Sequence, residues 1–152
     1  MTRGYWIALL IFLAISVGGG LLIGATNIPG PWYAGLEKPA FTPPNWLFAP
    51  AWTLLYILIA VAGTHVLDLP GPRGPMMLWI LQMGLNFAWS PIVFTLNQLL
   101  LGLLVILALL ATIAAFIRAT WHRQRLAAWL FAPYALWVTF AAYLNAGLVA
   151  LN

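Results

Sequence analysis

The chain has 152 residues, 64% of them apolar and 5% charged, with six Lys or Arg against two Asp or Glu and a formal net charge of +4. A soluble globular domain carries about 45–50% apolar and about 25% charged residues, so this chain lacks the material for a water-facing surface, and its mean hydropathy of +1.00 places it among bilayer proteins. The absence of cysteine excludes a disulfide framework and a thiolate metal site, and six scattered cations do not make the basic stripe that nucleic acid requires.

A helix rising about 1.5 Å per residue needs roughly 20 residues to cross a hydrocarbon core about 30 Å thick. Five segments meet that length, approximately 5–25, 45–67, 76–96, 99–120 and 126–151. The expected fold is therefore all-α: one integral membrane domain over residues 1–152, a bundle of five transmembrane helices. The first run follows Arg3 and is too long for the apolar core of a signal peptide, so it reads as a span.

The breaks carry turn chemistry. Asn27-Ile-Pro-Gly-Pro31 ends the first span, and Pro39, Pro43 and Pro44 prevent helix from resuming before Asn45. The run from Leu69 to Pro75 holds three prolines and two glycines, Asn97-Gln98 forms a minimal hairpin, and the polar stretch 118–125 separates the last two spans. The first connection, 27–44, is long for a helix-helix link and contains Trp32, Tyr33, Phe41 and the neighbours Glu37 and Lys38. Such a loop either caps a site or contributes to the interfacial aromatic belt, and residue physics divides evenly between the two.

Five spans put the termini on opposite faces. Arg3, Arg73, Arg118, Arg123 and Arg125 then share the amino-terminal face, with Lys38 alone on the other. The positive-inside rule places the amino terminus in the cytoplasm and the 27–44 loop and carboxyl terminus outside, and in a two-membrane bacterium helical spans favour the inner membrane.

No Asp, Glu, Lys or Arg falls near the centre of a span, which disfavours a proton-driven transporter, and five spans do not divide into equal inverted repeats. The polar residues inside the spans are neutral and recur at helical spacing. Gln82, Asn86 and Ser90 share one face of the third span, flanked by Trp79 and Trp89. Trp52, Tyr56, Ile59 and Gly63 form a stripe in the second, and Tyr134, Trp137, Ala141 and Asn145 one in the fifth, below Pro133. Buried amides often do no more than knit helices together, but nine Trp and five Tyr around a few amides also suit a flat apolar ligand.

Two small-residue patterns, Gly20-x-x-x-Gly24 and Gly84-x-x-x-Ala88, allow close backbone approach, either as an internal seam or as a homodimer contact. His65 and His122 have no companions at metal-ligand spacing, so no metal is expected, and Ser16 and Ser90 lie in no nucleophile motif.

The loop from Trp32 to Pro44, the run Pro50-Ala-Trp52-Thr-Leu-Leu-Tyr56, the segment Asn86-Phe87-Ala88-Trp89-Ser90-Pro91, and Pro133-Tyr134-Ala-Leu-Trp137 with Leu144-Asn145 resemble the TspO/translocator protein family, also called tryptophan-rich sensory proteins or peripheral-type benzodiazepine receptors. The resemblance covers nearly the whole chain. It implies a five-helix bundle, commonly dimeric, that binds porphyrins such as protoporphyrin IX under the first loop and, in animal members, cholesterol and synthetic ligands. Carried onto this chain, it implies a ligand site of Trp32, Trp52, Tyr56, Asn86, Phe87, Ser90, Trp137 and Ala141.

On that basis Trp89 is expected to add a stacking contact, and Lys38 is the available cation for a propionate. The tetrapyrrole is expected to come from the outer leaflet or outer face, with no cofactor required. The resemblance leaves three activities open: a receptor or sensor, a porphyrin or lipid transporter, and a light-dependent porphyrin-degrading enzyme using Trp32 and Trp137. The animal members' cholesterol motif lacks its basic residue here, because nothing cationic follows Tyr143.

Overall fold

The computed structural model describes residues 3–152, which are mostly helical with no strands among them. Five long helices cross the molecule: α1 (Arg3–Thr26), α3 (Asn45–Leu67), α4 (Gly74–Thr95), α5 (Leu99–Thr120) and α6 (Arg125–Leu151). A short helix in the first connection, α2 (Pro31–Gly35), is the element that periodicity did not foresee. Pro31 occupies its first turn, where a missing N–H leaves nothing unpaired. Pro75 plays the same part in α4, so the proline-dense breaker also starts the next helix. The hairpin between α4 and α5 turns on Asn97, whose φ of 56° lies in the left-handed region that Asn tolerates.

The helices follow the ring order α1, α3, α6, α5, α4 and back to α1, and α3 also packs on α4 across the ring. The basic ends gather at one pole: Tyr5 of α1 meets His65 at the end of α3, with ring centroids 5.9 Å apart. At the same pole the Arg123 guanidinium hooks the carbonyls of Pro70 and Pro72. The connection 27–44 lies at the opposite pole.

The large apolar residues divide between core and lipid. Ile59, Phe116, Phe131 and Val138 are fully buried, whereas Leu10, Leu22 and Leu136 are exposed, as expected for a bundle whose solvent is hydrocarbon. Phe116 and Phe131 stack at 3.9 Å between centroids and close α5 on α6. Trp79 ties α4 to α3 by donating its indole N–H to the Ile59 carbonyl at 2.9 Å, and meets Phe12 edge-on at 4.7 Å.

That junction depends on Gly63, because a Cβ there would lie 2.7 Å from the Phe12 ring and 2.8 Å from Trp79 Nε1. Gly63→Ala is therefore expected to destabilise the bundle by about 1–3 kcal/mol through overpacking. A thermal melt in detergent reads this, and a melting temperature equal to wild type would rule out the close approach.

Two helices carry π-helical turns, at Ala14–Gly18 in α1 and at Pro91–Thr95 in α4. The second follows Pro91, which has no N–H to continue the α ladder. In the first, Ser16 is fully buried and its hydroxyl reaches both the Phe12 carbonyl at 2.8 Å and the Tyr56 carbonyl at 2.9 Å. One hydroxyl proton serves two acceptors, so the bond is shared between α1 and α3.

Candidate functional site

Three of the polar stripes converge. From α3 the Tyr56 hydroxyl donates to Asn86 Oδ1 at 2.7 Å, Asn86 Nδ2 donates to the Tyr134 hydroxyl at 2.8 Å, and Tyr134 donates to Gln82 Oε1 at 2.9 Å. The chain of donors runs in one direction across α3, α4 and α6. Its last member is left incomplete, because Gln82 Nε2 is buried without a hydrogen-bond partner among the described residues. Gln82 and Asn86 stand one turn apart on α4, which is why one helix supplies both amides.

Aromatic rings wall this chain on the side of the lid. Trp52 stacks on Tyr56 at 5.5 Å and meets Tyr134 at 6.3 Å and Trp137 at 6.4 Å, both edge-on. Phe87 tilts against Tyr56 at 6.3 Å. Four residues separate Trp52 from Tyr56, so their stacking follows from α3 itself, while α6 brings Tyr134 and Trp137 to one face at a spacing of three. Ala141, one further turn along α6, is half-buried.

The other anticipated residues divide. Trp89 donates its indole N–H to Asn145 Oδ1 at 3.0 Å and meets Phe94 edge-on, so its polar atom is engaged at the α4–α5 hairpin. Asn145 also donates to the Leu99 carbonyl at 2.9 Å, which makes it a helix-knitting amide. Ser90 is half-buried one turn beyond Asn86. Trp32 lies on α2, 37% exposed. Lys38 is committed locally: its Nζ donates to the carbonyls of Tyr33, Ala34 and Leu36 at 3.0, 3.1 and 3.2 Å and sits 5.0 Å from the centre of the Tyr33 ring. It therefore closes the carboxyl end of α2, where a cation complements the helix dipole. Burial pushes the Tyr33 phenol above its usual range.

The lid is fastened along its length. Tyr33 packs edge-on to Phe94 at 5.1 Å, and Thr95 donates to Asn27 Oδ1 at 2.5 Å. On the other side, Asn152 pairs with both backbone groups of Glu37 at 2.9 Å, and the Tyr143 hydroxyl donates to the Ala40 carbonyl at 2.9 Å. Gly147 admits Pro39 so closely that a Cβ would lie 2.5 Å from the proline ring. Trp32 and Tyr33 are thus carried by a loop tied to α4 and α6 over one pole of the bundle.

Outside this centre, a groove of about 380 Å³ opens between α3 and α6, lined by Ala51, Leu54 and Leu55 on one side and Pro133, Leu136 and Trp137 on the other. Among the described residues no group of three or more His, Asp or Glu is placed to hold a metal ion.

Sequence reasoning missed Gly19, and it named Gly20 only as part of a seam or dimer contact. A Cβ at Gly19 would meet the Phe87 ring at 2.6 Å, and one at Gly20 would enter the Tyr56 ring. The run Gly18-Gly19-Gly20 was the signal, since three glycines inside an apolar span weaken the helix unless something packs there. Gly20 of the first small-residue pattern therefore belongs to an internal seam, whereas a Cβ at Gly84 or Gly24 would meet nothing within 4 Å among the described residues.

A profile of the TspO/MBR family matches residues 7–151. Among known proteins the chain is similar to the tryptophan-rich protein TspO of Archaeoglobus fulgidus, 43% identical over 80% of each chain, and to the protein CrtK of Rhodobacter capsulatus, 37% identical over 93% of this chain and 89% of the relative. The human translocator protein is 34% identical over 83% of this chain and 79% of its own. With its five apolar spans, the chain is an integral multi-pass membrane protein and belongs to the TspO/MBR family.

Proposed function

We propose that the protein is a membrane receptor for porphyrins of the protoporphyrin IX class and similar flat apolar molecules, seated between the lid and helices α3, α4 and α6. The observation that carries this reading is the wall formed by Trp52 between Tyr56, Tyr134 and Trp137, set directly on a chain of neutral hydrogen-bonding groups. Aromatic faces suit a planar ring system, and a few placed polar atoms fix its orientation.

Trp32 covers the ligand. Trp52, Phe87 and Trp137 stack or meet it edge-on, with Trp89 and Ala141 at the border, and Tyr56, Asn86 and Ser90 orient it. Lys38 reaches a propionate only by exchanging some of its three carbonyl contacts. Ligand binding needs no cofactor. The basic pole faces the cytoplasm of a bacterial inner membrane, by the positive-inside rule. The open Gly84 face of α4, with Ala88 beside it, is the contact of a homodimer.

A photochemical reading has one observation in its favour: Trp137, Trp52 and Tyr56 form a continuous run of rings with centroid steps of 6.4 and 5.5 Å. Loss of the porphyrin Soret band under light beyond one equivalent, dependent on Trp32 or Trp137, distinguishes that enzyme from a receptor. Saturable binding without turnover marks the receptor. Flux of labelled porphyrin in proteoliposomes marks a transporter.

Titration of protoporphyrin IX, followed by its Soret band, tests the site. Trp52→Ala and Trp137→Ala are each expected to weaken binding about tenfold, equivalent to ~1.4 kcal/mol of lost ring contact. Trp32→Ala is expected to weaken it less, and Trp6→Ala, on the lipid-facing side of α1, to leave it unchanged. Affinities equal to wild type in Trp32→Ala, Trp52→Ala and Trp137→Ala would sink the assignment.

A further inference from the structure

The groove between α3 and α6 has a role of its own. It lies in the half of the bundle nearer the lid, since Ala51 stands only about 9 Å along α3 from Asn45 at ~1.5 Å per residue. Its rim faces hydrocarbon: Leu54 is 58% and Leu136 75% exposed. Its walls are almost wholly apolar, and one wall residue, Trp137, also touches the aromatic centre through Trp52 at 6.4 Å and Phe48 at 6.0 Å. Trp137 is therefore shared between the groove and the site.

The geometry points to a lateral portal: a flat apolar ligand dissolved in the bilayer enters the α3–α6 groove, and Trp137 is the gate between that groove and the site beneath the lid. This rests on the receptor reading above and specifies its route.

Two features of Trp137 fit a gate and not a fixed wall. Its indole N–H is buried without a hydrogen-bond partner among the described residues, so no polar bond holds the ring closed. An unmade bond of that kind in an apolar setting is relieved when a ligand oxygen accepts from it. The helix beneath is also softened. Pro133 sits one turn before Trp137 inside α6, and its missing N–H deprives the Trp129 carbonyl of its α-helical partner.

The opposite route, through the lid, is held by the Asn152–Glu37 and Tyr143–Ala40 bonds on one side and the Thr95–Asn27 bond on the other. A route from hydrocarbon also matches the ligand, because an apolar porphyrin concentrates in the bilayer and not in water.

Association of protoporphyrin IX with the full chain in lipid nanodiscs, followed by stopped-flow absorbance at the Soret band, tests the portal. Leu54→Trp with Leu136→Trp plugs the mouth at two lipid-facing positions. Association and dissociation are both expected to slow about tenfold, with the affinity within about twofold of wild type. Pro39→Cys with Gly147→Cys staples the lid, in a chain with no other cysteine, once the two segments part by roughly 1 Å to reach the β-carbon spacing of a disulfide. The oxidised staple is expected to associate at the rate of its reduced form.

A plugged protein that associates at the wild-type rate, or a stapled one that no longer associates, overturns the portal while leaving the site in place. Wild-type protein that shows no saturable binding overturns the site and the portal together. If the plugged pair does not fold, as its melt would show, Leu136→Ala carries the same test in reverse. It widens the mouth, so association about threefold faster at equal affinity supports the portal and an unchanged rate overturns it.

Discussion

Tyr134→Phe is expected to lower the stability of the bundle by roughly 2–4 kcal/mol, although it deletes one oxygen atom from a ring that keeps its place. The Tyr134 hydroxyl accepts from Asn86 and donates to Gln82 at the centre of the helix ring. Without it, Asn86 Nδ2 and Gln82 Oε1 lose their partners, and Gln82 Nε2 has none to begin with among the described residues. The whole Gln82 amide would then be stranded at a position with no exposure.

Interhelical hydrogen bonds in membrane bundles average only about 0.6 kcal/mol, so the lost bonds themselves are the smaller part of this effect. The larger part is the stranded amide, at about 1–3 kcal/mol for each unsatisfied group. That division gives a sharper test than the single variant. Adding Gln82→Leu removes the stranded amide at similar volume, so the double variant is expected to recover about half of the loss. Unfolding in a detergent titration measures both. A double variant less stable than Tyr134→Phe alone would mean that Gln82 holds the bundle by some other contact.

The parts of this structure that composition and period determine were legible in the sequence. The ends of α3 and α5 coincide with the expected spans 45–67 and 99–120, because prolines and polar turns bound them on both sides. At α4 the expected start at residue 76 is two residues late, since Pro75 was read as a breaker when it also opens the helix. The stripe of Gln82 and Asn86 was equally legible, because helical spacing alone puts both on one face.

What periodicity does not carry is the partner of each group. Asn145 and Asn86 look alike as buried amides in apolar spans, yet Asn145 holds the Trp89 indole and the Leu99 carbonyl, while Asn86 joins two tyrosines. Lys38 read from sequence as a cation for a propionate or a partner of Glu37, and only the fold of 33–38 shows it capping α2. The lid follows the same logic. Its aromatic content left belt and cap equally open, whereas its fastening depends on Tyr143, Gly147 and Asn152, more than 100 residues away in sequence.

Gly20 and Gly24 provide the clearest contrast between pattern and place. Both belong to one small-residue motif on α1, and adding a single methyl group to each is expected to move stability in opposite directions. At Gly20 the new Cβ would enter the Tyr56 ring. That ring cannot retreat, because its hydroxyl is held by Asn86 and its face by Trp52. Helix α1 must move instead, and the shared Ser16 bond to the Tyr56 carbonyl goes with it. Gly20→Ala is therefore expected to cost about 3 kcal/mol or more, at the upper end of overpacking. At Gly24 a Cβ meets nothing within 4 Å among the described residues, so Gly24→Ala is expected to gain up to about 1 kcal/mol from helix propensity alone. Melting temperatures of the two variants beside wild type decide the matter: a fall in both would make the motif a contact along its whole length, and a fall in neither would rule out the close approach of α1 to Tyr56.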